Sequence, residues 1–140
     1  MGMSDRCFID SNIFLYTIDN SDVEKQKAAI QFLIQLSRNE EIILSTQVAK
    51  EFSNIALRKL KFSSIALSEF LEELKSYVVS DVSINTIQEG LKIRTRFEYS
   101  FYDSLLLASA LENNCNFFYS EDLKHGQSID GLQIINPFDL

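Results

Sequence analysis

The sequence predicts an α/β sandwich built on a mainly parallel sheet of about five strands, with helices covering it. Three observations lead there. Short apolar runs alternate with longer segments of helical periodicity along the whole chain. The short runs are continuously apolar rather than alternating, as expected for strands buried on both faces. One proline and four glycines in 140 residues leave no flexible linker, so a single domain over 1–140 is expected, and no internal repeat is visible.

Taken in order, Cys7 to Ile9 reads as a first strand, ended by Asp10-Ser11-Asn12, with a short helical stretch over Ile13 to Tyr16. Ser21-Asp22-Val23-Glu24 has the spacing of a capping box. Behind it, Ala29, Ile30, Leu33, Ile34 and Leu36 recur at helical spacing. Ile42 to Leu44 reads as a second strand. Ser45 or Thr46 then caps a helix whose apolar face holds Val48, Phe52, Ile55 and Ala56, with Glu51 flanking that face. A further helix covers Ser64 to Lys75, with Ile65, Phe70, Leu71 and Leu74 inward. Tyr77 to Val79 gives a third strand, and Ile84, Ile87, Leu91 and Arg94 mark the next helix. Asp103 opens the most apolar helix, which ends near Asn113 and Asn114, where Asn suits a left-handed closing residue. Asn116 to Tyr119 forms a fourth strand and Leu132 to Ile135 a fifth, after the turn-rich segment Gly126 to Gly131.

Composition narrows the function classes. Met1 to Asp10 is too short and polar for a signal peptide, and no apolar run approaches the ~20 residues of a membrane span. Cys7 and Cys115 fit no metal-ligand spacing and read as buried free thiols, which suits a reducing cytoplasm. The formal charge of −7 argues against a passive nucleic-acid binder, which ordinarily offers phosphates a basic surface. It argues less against a metallonuclease. Four of those charges would belong to the site described next, leaving −3 for the rest of the chain.

In open parallel sheets, ligands bind outside the carboxyl ends of the strands. Asp10 follows the first strand, Asp122 follows the fourth, and Glu51 lies in the helix leaving the second. Asp103 joins them if the Phe97 to Phe101 segment reverses the chain at the same edge. Close carboxylates repel one another unless a cation holds them. An all-oxygen donor set favours Mg²⁺ or Mn²⁺ over zinc. Such ions acidify water and clamp the attacking and leaving oxygens of a phosphodiester. Each acid taken alone also reads as a helix cap, a turn former or a dipole-favoured helix start, and Asp122 as a partner of Lys124. Spacing by itself leaves both readings open.

Local sequence words separate them. Phe8-Ile9-Asp10-Ser11-Asn12-Ile13-Phe14-Leu15-Tyr16 resembles the opening of PIN domains, and Tyr102-Asp103-Ser104-Leu105-Leu106-Leu107-Ala108 resembles their third acidic motif. Tyr119-Ser120-Glu121-Asp122-Leu123-Lys124-His125-Gly126, running on to Asn136-Pro137-Phe138, is similar to the ending of VapC-type toxins of bacterial toxin–antitoxin pairs. Glu51, within Val48-Ala49-Lys50-Glu51-Phe52, takes the place of the second acid. The resemblance implies a three-layer PIN-like sandwich and hydrolysis of RNA with Mg²⁺ or Mn²⁺. It also implies a homodimer held by a small antitoxin protein. By carry-over, Asp10, Glu51, Asp103 and Asp122 are the metal-site and catalytic carboxylates, and Asn12 and Ser120 orient them. Ser120 stands where the motif often has Thr, which keeps the hydroxyl. Glu121 competes with Asp122, and the motif favours Asp122.

His125, the single histidine, reads as a turn or structural residue rather than a general base. Arg58, Lys59 and Lys61 read as a solvated helix end, with contact to an RNA backbone as the sharper alternative. Lys50, Arg94 and Arg96 are ambiguous in the same way. Phe97, Tyr99, Phe101 and Tyr102 suit core packing or a dimer contact better than base stacking. Two rival functions remain. One is a receiver-like signalling domain, for which Asp81 is the only candidate phospho-acceptor. The other is a non-catalytic PIN-like scaffold.

Overall fold

Cys7, Phe8 and Ile9 are fully buried because β1 (Arg6–Ile9) runs through the middle of the sheet with a parallel neighbour on each side. The computed structural model describes residues 5–139; Met1 to Ser4, part of the segment judged unlike a signal peptide, lie outside the described residues. β1 pairs with β2 (Glu41–Ser45) and with β4 (Phe117–Tyr119), so that Phe8 lies between Ile43 and Phe118. The Phe8 and Phe118 rings stack at 5.2 Å. β3 (Val78–Ser80) lies beyond β2, and β6 (Leu132–Ile135) beyond β4, both parallel. The order is β3-β2-β1-β4-β6-β5.

The described sheet therefore has six strands rather than five. The added one, β5 (Ser128–Ile129), pairs antiparallel with β6 inside the segment expected to be turn alone. Asp130 and Gly131, both at positive φ (49° and 91°), make the two-residue hairpin turn that joins them.

α1 (Ser11–Ile18) follows β1 without a loop and takes Asp10 as its N-cap. α2 (Val23–Asn39) is capped by Asp22, whose side chain accepts from the Lys25 N–H. The expected Ser21 capping box does not form, because Ser21 donates both its N–H and its hydroxyl to Asp19. Ala29, Leu33 and Leu36 of α2 are buried, whereas Ile30 and Ile34 of the same predicted stripe are exposed. α3 (Thr46–Arg58) is capped by Ser45 and buries Val48, Phe52 and Ala56. In α4 (Ser64–Leu74) Leu67 and Leu74 face inward, and Ile65, expected inside, is exposed.

The inward face of α5 (Ile84–Phe97) departs most from expectation. Ile84 and Leu91 are exposed, and Thr86, Gly90 and Ile93 are buried instead. Gly90 explains the choice. A Cβ there would lie 3.2 Å from the Leu105 Cα, so its absence lets α5 approach the backbone of α6 (Phe101–Glu112). Glu98, left-handed at φ 62°, and the Ser100 cap reverse the chain between the two helices. This is the reversal that the placement of Asp103 requires. α6 is buried from Ser104 to Ala110 and closes at Asn114, left-handed at φ 57°. Cys7 and Cys115 are free and buried, and burial pushes both thiols up to about 12.

Candidate active site

Because β1, β2 and β4 are parallel, their carboxyl ends share one edge of the sheet, and the predicted acids arrive there from separate parts of the chain. Asp10 is the most enclosed, at 4% exposed. Its backbone N–H donates to the Tyr119 carbonyl at 3.0 Å, which continues the β1–β4 ladder and fixes the residue. One carboxylate oxygen accepts from the Ser11 N–H at 2.7 Å as the cap of α1, and the other accepts from the Ser120 hydroxyl at 2.8 Å. Burial pushes the Asp10 carboxyl up to about 6 against the opposing pull of the Ser120 and Ser11 hydrogen bonds, with Glu51 and Asp122 adding repulsion.

Two further acids connect to Asp10 through shared donors. The Ser11 hydroxyl donates to Glu51 at 3.2 Å, and the Gln47 amide, one turn earlier on α3, donates to the other Glu51 oxygen at 3.0 Å. On the far side, Ser120 accepts from the Asp122 N–H at 3.1 Å while donating to Asp10, and the Asn12 amide donates to Asp122 at 2.8 Å. Asp103 occupies the first turn of α6, with its N–H donating to the Ser100 hydroxyl. The Gln47 amide also donates to the Tyr102 carbonyl at 3.0 Å, which pins the start of α6 beside the start of α3. Asp103 is thereby at the same edge, although no hydrogen bond joins its carboxylate to the other three. Sequence reasoning passes over Ser11 and Gln47. Only the adjacency of Ser11 to Asp10 and the four-residue spacing of Gln47 from Glu51 could have suggested them.

The neighbours resolve several ambiguities. Glu121 turns away from Asp10 to meet the Lys25 ammonium and the Tyr16 hydroxyl. Burial would raise its carboxyl, but the Lys25 and Tyr16 hydrogen bonds and the Lys25 charge outweigh it and hold the group below its ordinary value. No ion pair joins Asp122 to Lys124 among the described residues. The His125 ring accepts through Nδ1 from the Asn136 N–H at 2.9 Å, a turn-fixing contact. Arg58, Lys59 and Lys61 are exposed at the end of α3. Phe97 and Tyr99 pack on the core, while Tyr102 is 64% exposed.

Residues 7–127 match the PIN-domain family. The chain belongs to it. Among solved structures, this PIN domain resembles a toxin–antitoxin complex from Klebsiella pneumoniae at TM-score 0.71 and 16% identity, over 94% of this chain and 97% of that one. It resembles VapBC-1 from nontypeable Haemophilus influenzae at 0.67 and 19%, over 95% and 98%. It also resembles VapC20 of Mycobacterium tuberculosis, a Sarcin-Ricin loop cleaving toxin, at 0.64 and 17%, over 83% and 91%. A comparison with curated protein sequences finds no match.

The donor chemistry of the PIN-domain edge fits a hard divalent cation. Every group meeting there offers oxygen, and the Asn12 amide oxygen is buried with no hydrogen-bond partner. No three acids among the described residues stand together as a ready-made cage. Mg²⁺ does not need one, since it is commonly held by one or two carboxylates with water completing the octahedron.

Proposed function

We propose that this PIN domain is a Mg²⁺- or Mn²⁺-dependent endoribonuclease and the toxin of a toxin–antitoxin pair. The observation that carries the reading is the linked set Glu51–Ser11–Asp10–Ser120–Asp122–Asn12 at the carboxyl edge of a PIN sheet. Asp10, Glu51, Asp103 and Asp122 would hold the ion between them, one or two carboxylates directly and the others through its waters. Asn12 and Ser120 fix the directions of two of these carboxylates. When bound, such an ion supplies charge compensation and acidifies water for attack on a phosphodiester. The protein's own share is orientation. Ser120 donates to Asp10 and accepts from the Asp122 backbone, so the two acids move as one unit, while Ser11 and Gln47 aim Glu51 from both sides.

Two observations weigh against the rival functions. A receiver-like domain would centre on Asp81, but that residue is exposed beyond the edge strand β3. A non-catalytic scaffold would gain nothing from holding the Asp10 carboxyl buried beside other acids, where its ionisation costs stability. The structural neighbours from Klebsiella and Haemophilus are a toxin–antitoxin complex and a VapBC pair. They support a small antitoxin as this chain's partner. A basic side chain of that partner, an Arg by preference, would seat among the acids bidentately and exclude both ion and RNA. The net charge of −7 would speed its approach at low salt. We infer a homodimer, for which exposed Ile84 and Leu91 on α5 offer apolar surface, and a cytoplasmic setting. No described helix is long and apolar enough to cross a membrane.

The test is cleavage of labelled RNA by nuclease-free protein. Activity should stop on exhaustive EDTA dialysis, return with Mg²⁺ or Mn²⁺ but not Zn²⁺, and be absent from Asp10→Asn. The product of the adjacent gene should inhibit through its basic tail. Cleavage that survives both chelation and Asp10→Asn would exclude the mechanism.

A further inference from the structure

Glu121 and Asp122 are consecutive acids at the same sheet edge, yet only Asp122 joins Asn12 and Ser120. What separates them lies far away in sequence. The Lys25 ammonium of α2, 96 residues from Glu121, pairs with its carboxylate, and the Tyr16 hydroxyl of α1 donates to the same group. Lys25 also lies 4.9 Å from the centre of the Tyr16 ring and 4.2 Å from that of Phe138. The two rings meet edge-on at 5.7 Å.

Phe138 is itself held in place. Its N–H donates to the Asn136 side-chain oxygen at 3.0 Å, and the Asn136 N–H donates to His125. Both members of the Lys25–Glu121 pair are only 26% exposed, so each charge is partly withdrawn from water. Two helices thus supply donors to one carboxylate that takes no part in the acid cluster, and the C-terminal Phe138 packs on both donors. An unpaired Glu121 would stand one residue from both Ser120 and Asp122. It would compete for their donors and add charge to an already repulsive set.

We propose that Lys25 is a positioning residue that draws Glu121 out of the acid cluster, leaving Asp122 as the carboxylate presented beside Asn12. The inference rests on the ribonuclease reading for its consequence, but not for its geometry. Lys25→Met keeps an unbranched side chain for the two rings and removes the charge. Its kcat should fall by about tenfold to a hundredfold, with KM little changed. Lys25→Arg, which keeps charge and ring contact, should stay near wild type. Glu121→Gln should remain within about twofold, because the amide oxygen still accepts from Tyr16 and Lys25.

The deciding variant is Lys25→Met with Glu121→Gln. With the stray charge gone, kcat should return to near wild type, and hydrogen exchange of the 120–126 amides, faster in Lys25→Met, should slow again. A double variant as impaired as Lys25→Met, or a large loss in Glu121→Gln alone, overturns the proposal. If Lys25→Met does not fold, Tyr16→Phe removes one donor to Glu121 and should show a smaller kcat loss with the same rescue by Glu121→Gln; no loss overturns the proposal. Should the wild type not cut RNA, exchange in the 120–126 segment still decides the clasp, and only the ribonuclease reading falls.

Discussion

Replacing Asp10 with Asn should stabilise the protein at neutral and alkaline pH while removing its proposed activity. In the folded chain the Asp10 carboxyl is pushed from 3.8 up to about 6, mainly by burial. The folded state thus holds this proton more tightly than the unfolded chain. The associated stability is fully present below about pH 4 and is lost as pH rises through about 6. The two values correspond to about 3 kcal/mol lost once Asp10 is ionised. Asn avoids that loss, but has one acceptor oxygen where Asp10 uses two, toward the Ser11 N–H and the Ser120 hydroxyl. Rearranging one of those bonds costs about 1 kcal/mol. The net gain at pH 8 is about 2 kcal/mol, or roughly 5–8 °C in Tm for a domain of this size. Near pH 4 the wild-type residue is protonated and, like Asn, is neutral with a donor group beside a carbonyl acceptor, so the two proteins should converge. The assay is urea denaturation of both at pH 4, 6 and 8 in EDTA, which removes stabilisation by bound metal. An Asn variant that unfolds at or below the wild-type midpoint at pH 8, with no convergence toward pH 4, would refute the reasoning.

Ser120→Ala should destabilise by about 1–3 kcal/mol at pH 8, since it strips a donor from Asp10 and an acceptor from the Asp122 N–H. The deficit should narrow as pH falls and Asp10 takes up its proton; a pH-independent deficit speaks against the linkage. Gly90→Ala sets a helix-propensity gain of about 1 kcal/mol against a Cβ pressed to 3.2 Å from the Leu105 Cα. Backbone cannot yield as a side-chain tip does, so Tm should fall by several degrees, and a rise would show that α5 and α6 can slide apart freely. His125→Ala should cost about 1 kcal/mol through the lost acceptor for Asn136 and leave RNA cleavage within about twofold. In a folded His125→Ala protein, loss of cleavage with unchanged hydrogen exchange over the 120–126 amides would restore the histidine as a catalytic base, whereas faster exchange there would trace the loss to the freed Asn136 and Phe138.

How much of this was readable in the chain depends on whether the deciding interaction is local. The strands announced themselves because Cys7-Phe8-Ile9 and Ile42-Ile43-Leu44 are apolar on both faces, which few other contexts tolerate. The inward face of α5 did not, because it is built from Thr86 and Gly90, residues whose value lies in a hydroxyl with a partner and in an absent side chain. β5 was hidden for a related reason. Two residues carry no periodicity, although Asp130-Gly131 between them and β6 is itself a hairpin signal.

The site divides along the same boundary. Parallel topology carries any acid just past β1, β2 or β4 to one edge, so Asp10, Glu51 and Asp122 were legible as a group. Which oxygen meets which donor was not. Ser11 reaching Glu51, and Gln47 bridging Glu51 to the Tyr102 carbonyl, depend on how α1, α3 and α6 are rotated against each other. Only the Gln47–Glu51 half of that bridge follows from spacing along one helix. The choice between Glu121 and Asp122 is the sharpest instance. Motif likeness selects Asp122, but the proposed physical cause is a lysine on α2 and two aromatic rings, none of which lies in the Tyr119 to Gly126 word that holds both acids. A site of this kind is therefore specified twice. Chain topology delivers the acids to the edge, and remote partners then decide which of the delivered acids is left free to act.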